Sequence, residues 1–517
     1  ASLRYNNTVA DVHSISALAA FEQIVTESST FYGQANNLPT DQLPYLFAGD
    51  PETAMNSGTA SELALLSYFG TLSYDYDKRY FIDLMLRRDG SSRFGPGKRF
   101  GTFYSLGGNW AIGNEKFMEN ISWLDALNIK GSYSVLGNDR ITPFQFLSQF
   151  TFGNTNPNND RPNYYVFGES GAVFNGFRTG VAPNPNVTWE TATMSNIAIS
   201  FSAFNSRLSG EVNFYKQVRD DILVSNSSSI PNFTGVVLPD ENLGRVDSQG
   251  YEITLGWNDK AGEISYNLGL NLTQAQNEVV FLPQPENIPE RQDITGFRIG
   301  SYVVAPTNGI FQNQSEVDNA AATIANTVEG EPHYIDTNED GNINNQDWVR
   351  INNSNIPEIQ YGFTGGVNYK DFNLNFLFQG QAKAKVLVFF DQIGSKPEHV
   401  FNDRWTPENR TARYPRAFGL NDTYSGPQDG NNSRYADLWY HDASFLRLKE
   451  VEVGYTFSKE KTSIADIKIF ARGFNLLTMF SEVQKLGLDP EAASYNNFRN
   501  STYPSLKMYS FGLNITF

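Results

Sequence analysis

Strict alternation of apolar and polar residues is the feature that most constrains this chain. It occurs in residues 264–273 (ISYNLGLNLT), in residues 372–379 (FNLNFLFQ) and in residues 509–517 (YSFGLNITF). Because successive side chains of a β-strand point to opposite faces, each segment would have one apolar face. The other face carries Asn, Ser, Thr and Gly, where a solvent-facing strand usually carries Lys and Glu. The pattern predicts transmembrane β-strands with lipid on one side and a polar interior on the other.

The composition limits the chemistry open to this 517-residue chain. Aromatic residues make up 14% and charged residues 18%, a mixture typical of proteins that are rich in strands and turns. A net charge of −17 argues against a nucleic-acid partner, since a polyanion needs a basic face. With 0 cysteines, the chain has no thiol catalysis, disulfide or cysteine-ligated zinc.

The ends and apolar runs of the chain bear on its location. No apolar run approaches the ~18 residues of a transmembrane helix, which leaves membrane crossing by strands open. The N-terminal ASLRYNN (1–7) has no Met, no basic region and no apolar run. We therefore expect that a signal was removed or that the chain starts inside a longer protein.

Turn signals between the alternating segments predict about fifteen strands. We place them near 2–6, 12–27, 61–75, 79–91, 101–113, 127–136, 187–204, 207–221, 247–258, 263–276, 359–369, 372–382, 444–457, 466–479 and 506–517. Short connections alternate with long ones, as in outer-membrane barrels, whose long loops are extracellular. The long connections fall near 33–60, 137–185, 224–245, 277–358, 385–440 and 480–505. One of the short connections, 114–126, is expected to hold a helical turn.

The fold class predicted for residues 1–517 is therefore all-β, an antiparallel transmembrane β-barrel. Single-chain bacterial barrels have even strand numbers, so an odd count predicts a partial barrel. The remaining strands would lie on another chain or fragment.

The sequence of residues 79–118 can be compared with that of a known protein family. Their sequence, RYFIDLMLRRDGSSRFGPGKRFGTFYSLGGNWAIGNEKFM, closely resembles the SusC/RagA family of TonB-dependent outer-membrane transporters of Bacteroidota. Other segments resemble the same family: LPTDQLPYL (38–46), SELALLSYFGTLSYDYDKRY (61–80), NPNVTWETATMSNIAISFSAFNSRLSGEVNFYKQVRDDIL (184–223), RWTPENRTARYPR (404–416), HDASFLRLKEVEVGYTF (441–457), FNLLTMF (474–480) and DPE (489–491). The resemblance extends over essentially the whole chain.

The resemblance implies a barrel of 22 strands preceded by a plug domain and a TonB-contacting segment. Nothing in this sequence matches a plug, so we interpret the chain as the C-terminal part of such a transporter, with about 15 of the 22 strands. The plug and the other strands would lie on another chain or fragment. The barrel would sit in the bacterial outer membrane, in contact with lipid and lipopolysaccharide.

The function implied by the resemblance is the import of oligosaccharides or oligopeptides, driven by the TonB complex, beneath a SusD-like surface lipoprotein. A rival interpretation is a non-transporting subunit of an outer-membrane assembly or secretion complex. A third is a soluble β-rich secreted lectin.

Residues 336–347, DTNEDGNINNQD, match the twelve-residue calcium loop of an EF-hand. The predicted ligands are Asp336, Asn338, Asp340, Asn342 through its carbonyl, and Asp347. Gly341 stands where the turn needs a positive φ, and Ile343 where an apolar anchor is usual. Because Asp347 replaces the usual Glu, the ion is Ca²⁺ or Mg²⁺; the alternative is an Asn- and Asp-rich turn without an ion. A single loop without flanking helices predicts a structural clip of the extracellular loop 277–358, and not a sensor.

The sequence lacks catalytic motifs. Its four histidines, His13, His333, His399 and His441, are scattered and do not have the HExxH spacing. It has neither a G-x-S-x-G elbow nor a Walker loop. We predict no enzymatic activity, with a Ser/His pair assembled from distant strands as the alternative. His441 beside Asp442 is interpreted as an ordinary loop contact.

Two groups of residues have both a binding and a structural interpretation. Cations of the Gly-rich hairpin 86–99 would pair with lipopolysaccharide phosphates, acidic loops or a partner, or would simply be solvated. They are Arg87, Arg88, Arg93, Lys98 and Arg99. Aromatic loop residues would bind sugars or peptides, or would pack inside a large loop. They are Trp405, Tyr414, Trp439 and Tyr440.

Overall fold

The computed structural model describes residues 1–152, 164–167, 172–225, 237–285, 287–324, 326–389, 398–417, 435–492 and 503–517. Within them, a 15-stranded antiparallel sheet keeps the strands in chain order, so that consecutive strands lie side by side. Its strands are β1 Ser2–Val9, β2 His13–Gln34, β3 Met55–Tyr76, β4 Tyr80–Ser91, β5 Phe100–Ala111, β6 Leu124–Asn138, β7 Glu190–Ala203, β8 Leu208–Ser225, β9 Asp240–Ala261, β10 Ile264–Phe281, β11 Ile359–Tyr369, β12 Phe372–Ala382, β13 Phe445–Phe457, β14 Asp466–Met479 and β15 Met508–Thr516. The predicted fold class is confirmed, and the fifteen strands of the sheet overlap the ranges predicted for them.

Several strands are longer than the alternation indicates. The pairing of β2 with β3 continues from Ser28 opposite Ser61 to Gln34 opposite Met55. Residues 28–34 lack strict alternation, but backbone hydrogen bonds do not require an apolar face. The ladder therefore extends past the apolar part of the strands. Parts of the predicted long connections, namely 153–163, 168–171, 226–236, 390–397, 418–434 and 493–502, lie outside the described residues.

One face of the strands is apolar and exposed. On β15, Tyr509, Phe511 and Leu513 are 70%, 84% and 60% exposed, at the alternate positions that the sequence predicts. Leu84 and Leu86 form a similar exposed row on β4. Rows of large exposed apolar side chains are unfavourable in water and favourable against lipid.

The chain divides into two compact units. The first contains Ala1–Gly108, Ser132–Thr193 and Arg219–Gly244, and the second contains Asn109–Gly131, Met194–Val218 and Arg245–Phe517. In the first unit, Trp189 packs against Phe94 and Phe103 with ring centroids 5.3 Å and 5.2 Å apart. Its indole N–H donates to the carbonyl of Arg99 at 3.0 Å. This small core holds the base of the hairpin between β4 and β5.

Regular structure outside the sheet consists of short pieces. Two 3-10 turns, Ile112–Asn114 and Lys116–Met118, lie at the predicted helical turn. The described α-helices are Gln314–Asp318, Glu398–Asn402, Lys459–Thr462 and Glu482–Lys485, and further 3-10 turns are Leu46–Ala48, Pro51–Thr53, Glu290–Gln292 and Asp437–Trp439. Short paired strands are Phe150–Phe152 with Phe177–Thr179, Tyr164–Phe167 with Ala172–Asn175, Tyr302–Val304 with Val349–Ile351, Thr307–Ile310 with Pro332–Tyr334, and Lys385–Leu387 with Tyr440–Asp442. None of the described helices is long and apolar enough to cross a membrane.

Candidate functional site

Three long loops of the second unit share one buried core. They are 282–358, 383–444 and 480–507, and each leaves the end of one sheet strand and returns to the next at the same end. The buried residues of this shared core are Ala305, Tyr334, Ala384, Val386, Leu387, Val388, Val400, Tyr414, Ala436, Trp439, Ala443, Val483 and Leu486. We call this cluster the loop core. Since each loop supplies part of it, displacing one loop would expose apolar surface of the others.

Hydrogen bonds join the first two loops beside the loop core. The backbone N–H of Ala305 donates to Tyr435 at 2.7 Å, and that of Asp437 donates to Ala305 at 3.0 Å. The hydroxyl of Tyr302 donates to the carbonyl of Lys385 at 3.1 Å. Burial raises the pKa of Tyr302 to about 12, so the hydroxyl remains a donor at neutral pH. The two loops are thus held through both backbone and side-chain contacts.

The first half of the predicted cation loop is folded by its own side chains. The two carboxylate oxygens of Asp336 accept from the backbone N–H of Asp340 at 3.2 Å and of Gly341 at 2.8 Å. Gly341 has a φ of +80°, as the motif requires. The side-chain oxygen of Asn338 accepts from the N–H of Asp340 at 3.0 Å, and that of Asp340 accepts from the N–H of Asn342 at 2.8 Å. The oxygen-bearing side chains therefore shape the turn that carries them.

The second half of this loop ends on a buried carboxylate. Asp347 is 2% exposed, and its oxygens accept from the N–H of Thr337 at 3.0 Å and of Asn344 at 2.7 Å. Ile343 packs against the loop core, as expected of the apolar anchor. No three His, Asp or Glu side chains in the described ranges come together closely enough to hold a metal ion. Each Asp347 oxygen still has a second lone pair, so the donors suit a hard cation chemically.

The four aromatic loop residues that were expected either to bind a ligand or to pack inside a loop are mostly buried. Trp405, Tyr414 and Trp439 are 6%, 3% and 3% exposed, and the rings of Tyr414 and Trp439 stack with centroids 6.0 Å apart. Tyr440 is half-buried, and the centroid of its ring lies 4.7 Å from that of Tyr302. This geometry supports packing within the loops over direct stacking on a sugar or peptide.

His441 forms a buried polar contact between two loops. Its Nδ1 lies 2.9 Å from Oε1 of Glu482 and 3.1 Å from Nη2 of Arg413, which also pairs with Glu482. Burial lowers the pKa of His441, although Glu482 acts in the opposite direction. Burial alone would raise the pKa of Glu482, but hydrogen bonds from His441, the Asp442 backbone and Arg413 hold it below its usual range. The carboxylate partner is thus Glu482, and no Ser hydroxyl is among the described hydrogen bonds of His441.

A second buried ion-pair network was not predicted as a site. Arg447 donates to Asp489 at 2.6 Å, to Glu491 at 2.8 Å and to the hydroxyl of Thr478 at 2.9 Å. Lys449 also contacts Glu491 at 2.8 Å. Burial acts to raise the pKa of Asp489, but Arg447 and backbone N–H groups together hold it below its usual range. The charged members of this network lie in the segments HDASFLRLKEVEVGYTF and DPE, whose resemblance to the SusC/RagA family was the available signal in the sequence.

A cavity of about 520 Å³ lies beside β10, β11 and β12. Five amide side chains line it: Asn271, Asn355, Gln360, Gln379 and Gln381. Tyr361, Thr273 and the carboxylate of Glu491 complete its polar lining. We call it the amide cavity. Neutral amides and hydroxyls suit ligands with many hydrogen-bonding groups and little charge.

The cations of the hairpin 86–99 fall into two groups: some pair with nearby carboxylates, and the others are exposed. Arg87 contacts Asp89 at 2.7 Å, while Arg93 lies 3.6 Å from Asp139 and donates to the carbonyl of Ile141 at 2.7 Å. These two arginines hold the strand ends and the hairpin. The exposed cations of the hairpin are Arg88, Lys98 and Arg99.

Exposed apolar strand faces, polar cavities and long loops packed together at one end of an antiparallel sheet are the features of an outer-membrane β-barrel protein. Residues 2–476 match the family described as "TonB dependent receptor-like, beta-barrel", and the chain belongs to this family. It is a SusC/RagA-like barrel of the bacterial outer membrane.

Curated relatives match nearly the whole chain. TonB-dependent receptor P26 of Formosa agariphila is 28% identical over 554 aligned residues, which cover 100% of this chain and 52% of the relative. TonB-dependent receptor SusC of Bacteroides thetaiotaomicron is 25% identical, over 90% of this chain and 45% of SusC. The chain therefore spans about half the length of the curated relatives it matches.

Solved structures show the same fold. The structure of the RagAB peptide transporter aligns with a TM-score of 0.79 and 23% identity, over 100% of this chain and 55% of that chain. The open-open state of the RagAB peptide importer aligns with a TM-score of 0.79 and 24% identity, over 100% and 54% of the two chains.

Proposed function

We propose that this chain forms barrel wall and loops of a TonB-dependent transporter that imports oligosaccharides or oligopeptides across the outer membrane. The observation that carries the proposal is the amide cavity, because its neutral amides match the hydroxyl groups of glycans and the amide groups of peptides. The loop core lies at the ends of the same strands, where it would hold the loops around a bound ligand. The relatives are receptors and transporters, which supports a role in binding and passage over an enzymatic one.

The test uses cells that carry the full-length protein with Gln360→Ala and Gln379→Ala combined. We expect reduced uptake of a fluorescent oligosaccharide digest or of a fluorescent peptide digest, but not of both, with normal amounts of protein in the membrane. Gln314→Ala, on a short loop helix outside the cavity, is the matched control. Normal uptake of every digest by the double variant and by a deletion strain would refute import and favour the structural-subunit alternative.

The proposed partners are a SusD-like surface lipoprotein and the TonB complex. SusC is named a TonB-dependent receptor, which supports the TonB complex, and the likeness of the chain to SusC and to the RagAB peptide transporter supports the lipoprotein. The lipoprotein would cover the loop end, where 277–358 would be an extracellular loop. Affinity purification of the full-length protein from membranes should recover a lipoprotein, and insertion of a bulky tag in this loop should release it.

We also propose that residues 336–347 bind Ca²⁺ or Mg²⁺ as a structural clip. The donors would be Asp336, Asn338, Asp340, the Asn342 carbonyl and Asp347. The turn already formed by Asp336 and Gly341 supports this, as does the anchoring of Ile343. Bound in this way, the ion would draw together and neutralise the carboxylates of Asp336, Asp340 and Asp347 and would stiffen the loop that carries them.

A further inference from the structure

A groove of about 760 Å³ lies on the exposed apolar face of β2 to β5, in the first unit. Its floor consists of small residues, because Ala19 of β2 pairs with Gly70 of β3. Gly70 in turn pairs with Leu86 of β4. Larger side chains stand around this floor, including Leu72 and Tyr104, which are 40% and 47% exposed. The groove is thus a depression in a surface that faces lipid.

A single charged residue, Arg88, lines this groove. It belongs to the exposed row of β4, since Leu84, Leu86 and Arg88 occupy alternate positions of the strand. Its guanidinium lies over the ring of Phe100, 5.3 Å from the centroid. Within the described residues Arg88 has no carboxylate partner. A lipid-facing cation is tolerated near the headgroup level, where it meets anionic groups.

The surroundings of Arg88 place it at the hairpin end of the groove. Arg88 pairs with Tyr68, and the ring centroid of Tyr68 lies 5.2 Å from that of Phe21, so aromatic rings lie beside the cation at this end of the groove. The hairpin that follows β4 carries two further exposed cations, Lys98 and Arg99. The arrangement is therefore amphipathic along the strands, with a cationic end and an apolar channel.

We propose that this groove is a binding site for a membrane lipid with a phosphate headgroup. Arg88 holds the phosphate, and an acyl chain lies over Ala19 and Gly70. Charge complementarity selects this occupant: an apolar groove that ends in one unpaired cation fits an amphiphile with one anionic end. The site is independent of the import proposed above, since it lies on the lipid-facing side and uses none of the residues of the amide cavity.

The experiment measures lipid retention by native mass spectrometry of the full-length protein in detergent. The probes are phosphatidylglycerol and phosphatidylcholine with identical acyl chains. The wild type should retain phosphatidylglycerol about fivefold more tightly, as one cation near a membrane surface predicts. Arg88→Gln should abolish this preference, and Arg88→Lys should keep most of it. Lys507→Gln, an exposed cation outside the groove, should change nothing.

A second variant tests the acyl channel. Ala19→Leu should fill the floor and weaken retention of both lipids, whereas Ala471→Leu, at an exposed position of β14 outside the groove, should not. An unaltered lipid preference in Arg88→Gln, or unaltered retention in Ala19→Leu, would overturn the proposal. Dimers of the wild type that Ala19→Leu disrupts would also overturn it, because a second copy would then occupy the groove.

Discussion

His441 and Glu482 meet across two loops, with Nδ1 of the histidine 2.9 Å from Oε1 of the carboxylate. The histidine is 2% exposed, and no described group bonds to its Nε2. The contact joins the strand that leads into β13 with the short helix after β14. Arg413 and His399 are the other charged or titratable groups that act on His441.

This contact predicts that the loops loosen in mild acid. Burial lowers the folded-state pKa of His441, so the unfolded chain binds a proton more readily below its ordinary pKa of about 6.5. The stability of the loops should be complete above that pH and should fall as the pH drops toward the folded pKa. Limited proteolysis of the detergent-purified protein between pH 8 and pH 5 measures this. His441→Gln should flatten the profile; a variant as acid-sensitive as the wild type would contradict the assignment.

The cation loop predicts a luminescence signal. Trp348 follows Asp347 directly and stacks on Tyr435 with centroids 4.3 Å apart, so it would sensitise Tb³⁺ bound in place of Ca²⁺. Ca²⁺ should displace Tb³⁺ and should raise stability by about 2.7 kcal/mol at one hundred times its Kd. Asp336→Asn with Asp340→Asn should abolish both effects. Asp318→Asn, on the helix Gln314–Asp318 of the same long loop, should retain them, and Tb³⁺ emission that survives the double change would exclude residues 336–347 as its site.

The network of Arg447 predicts a large loss on truncation. Its side chain and that of Asp489 are 5% and 6% exposed, so Arg447→Ala leaves a carboxylate buried without its principal partner. Removing one member of a buried pair costs about 3–5 kcal/mol, and we expect loop 480–507 to become protease-sensitive. Lys449→Ala removes a more exposed cation and should cost at most about 1 kcal/mol. Equal effects of the two changes would argue against a special role for Arg447.

The two faces of β12 predict opposite responses to the same charge. Leu374 belongs to the exposed apolar row, whereas its neighbour Asn375 pairs with Glu452. Leu374→Lys should destabilise the protein by up to about 2–4 kcal/mol and reduce its assembly in the outer membrane. Asn375→Lys should assemble normally, because the new cation lies opposite a carboxylate. The heat-induced shift of the folded protein on gels measures assembly, and normal assembly of both variants would contradict the assignment of faces.

The strands were predictable because their signal is local. The alternation at residues 372–379 and 509–517 determines which side chains share a face, and the structure places them accordingly. The strand ends were not predictable, since the pairing of Ser28 with Ser61 depends on backbone hydrogen bonds and not on apolar side chains.

The contacts of the loops have no local signal. His441 finds a carboxylate 41 residues away, and Arg447 finds one 42 residues away. Such pairs depend on where the strands return the chain, which neither spacing nor periodicity encodes. The cation loop is the exception, because its twelve residues form a compact turn by themselves, while the ion itself stays a prediction.

The loop core has a consequence for how new specificities arise in such a protein. Ala305, Trp439 and Val483 belong to three different loops and fill one packed volume. A loop transplanted alone from a relative would bring side chains that pack against that relative's other loops and not against these, which would leave voids or clashes in the loop core. Inheritance of the three loops as one block avoids this mismatch, so recombination between relatives should succeed when both breakpoints lie outside residues 282–507 and should fail when a breakpoint falls in β11 to β14, between the loops.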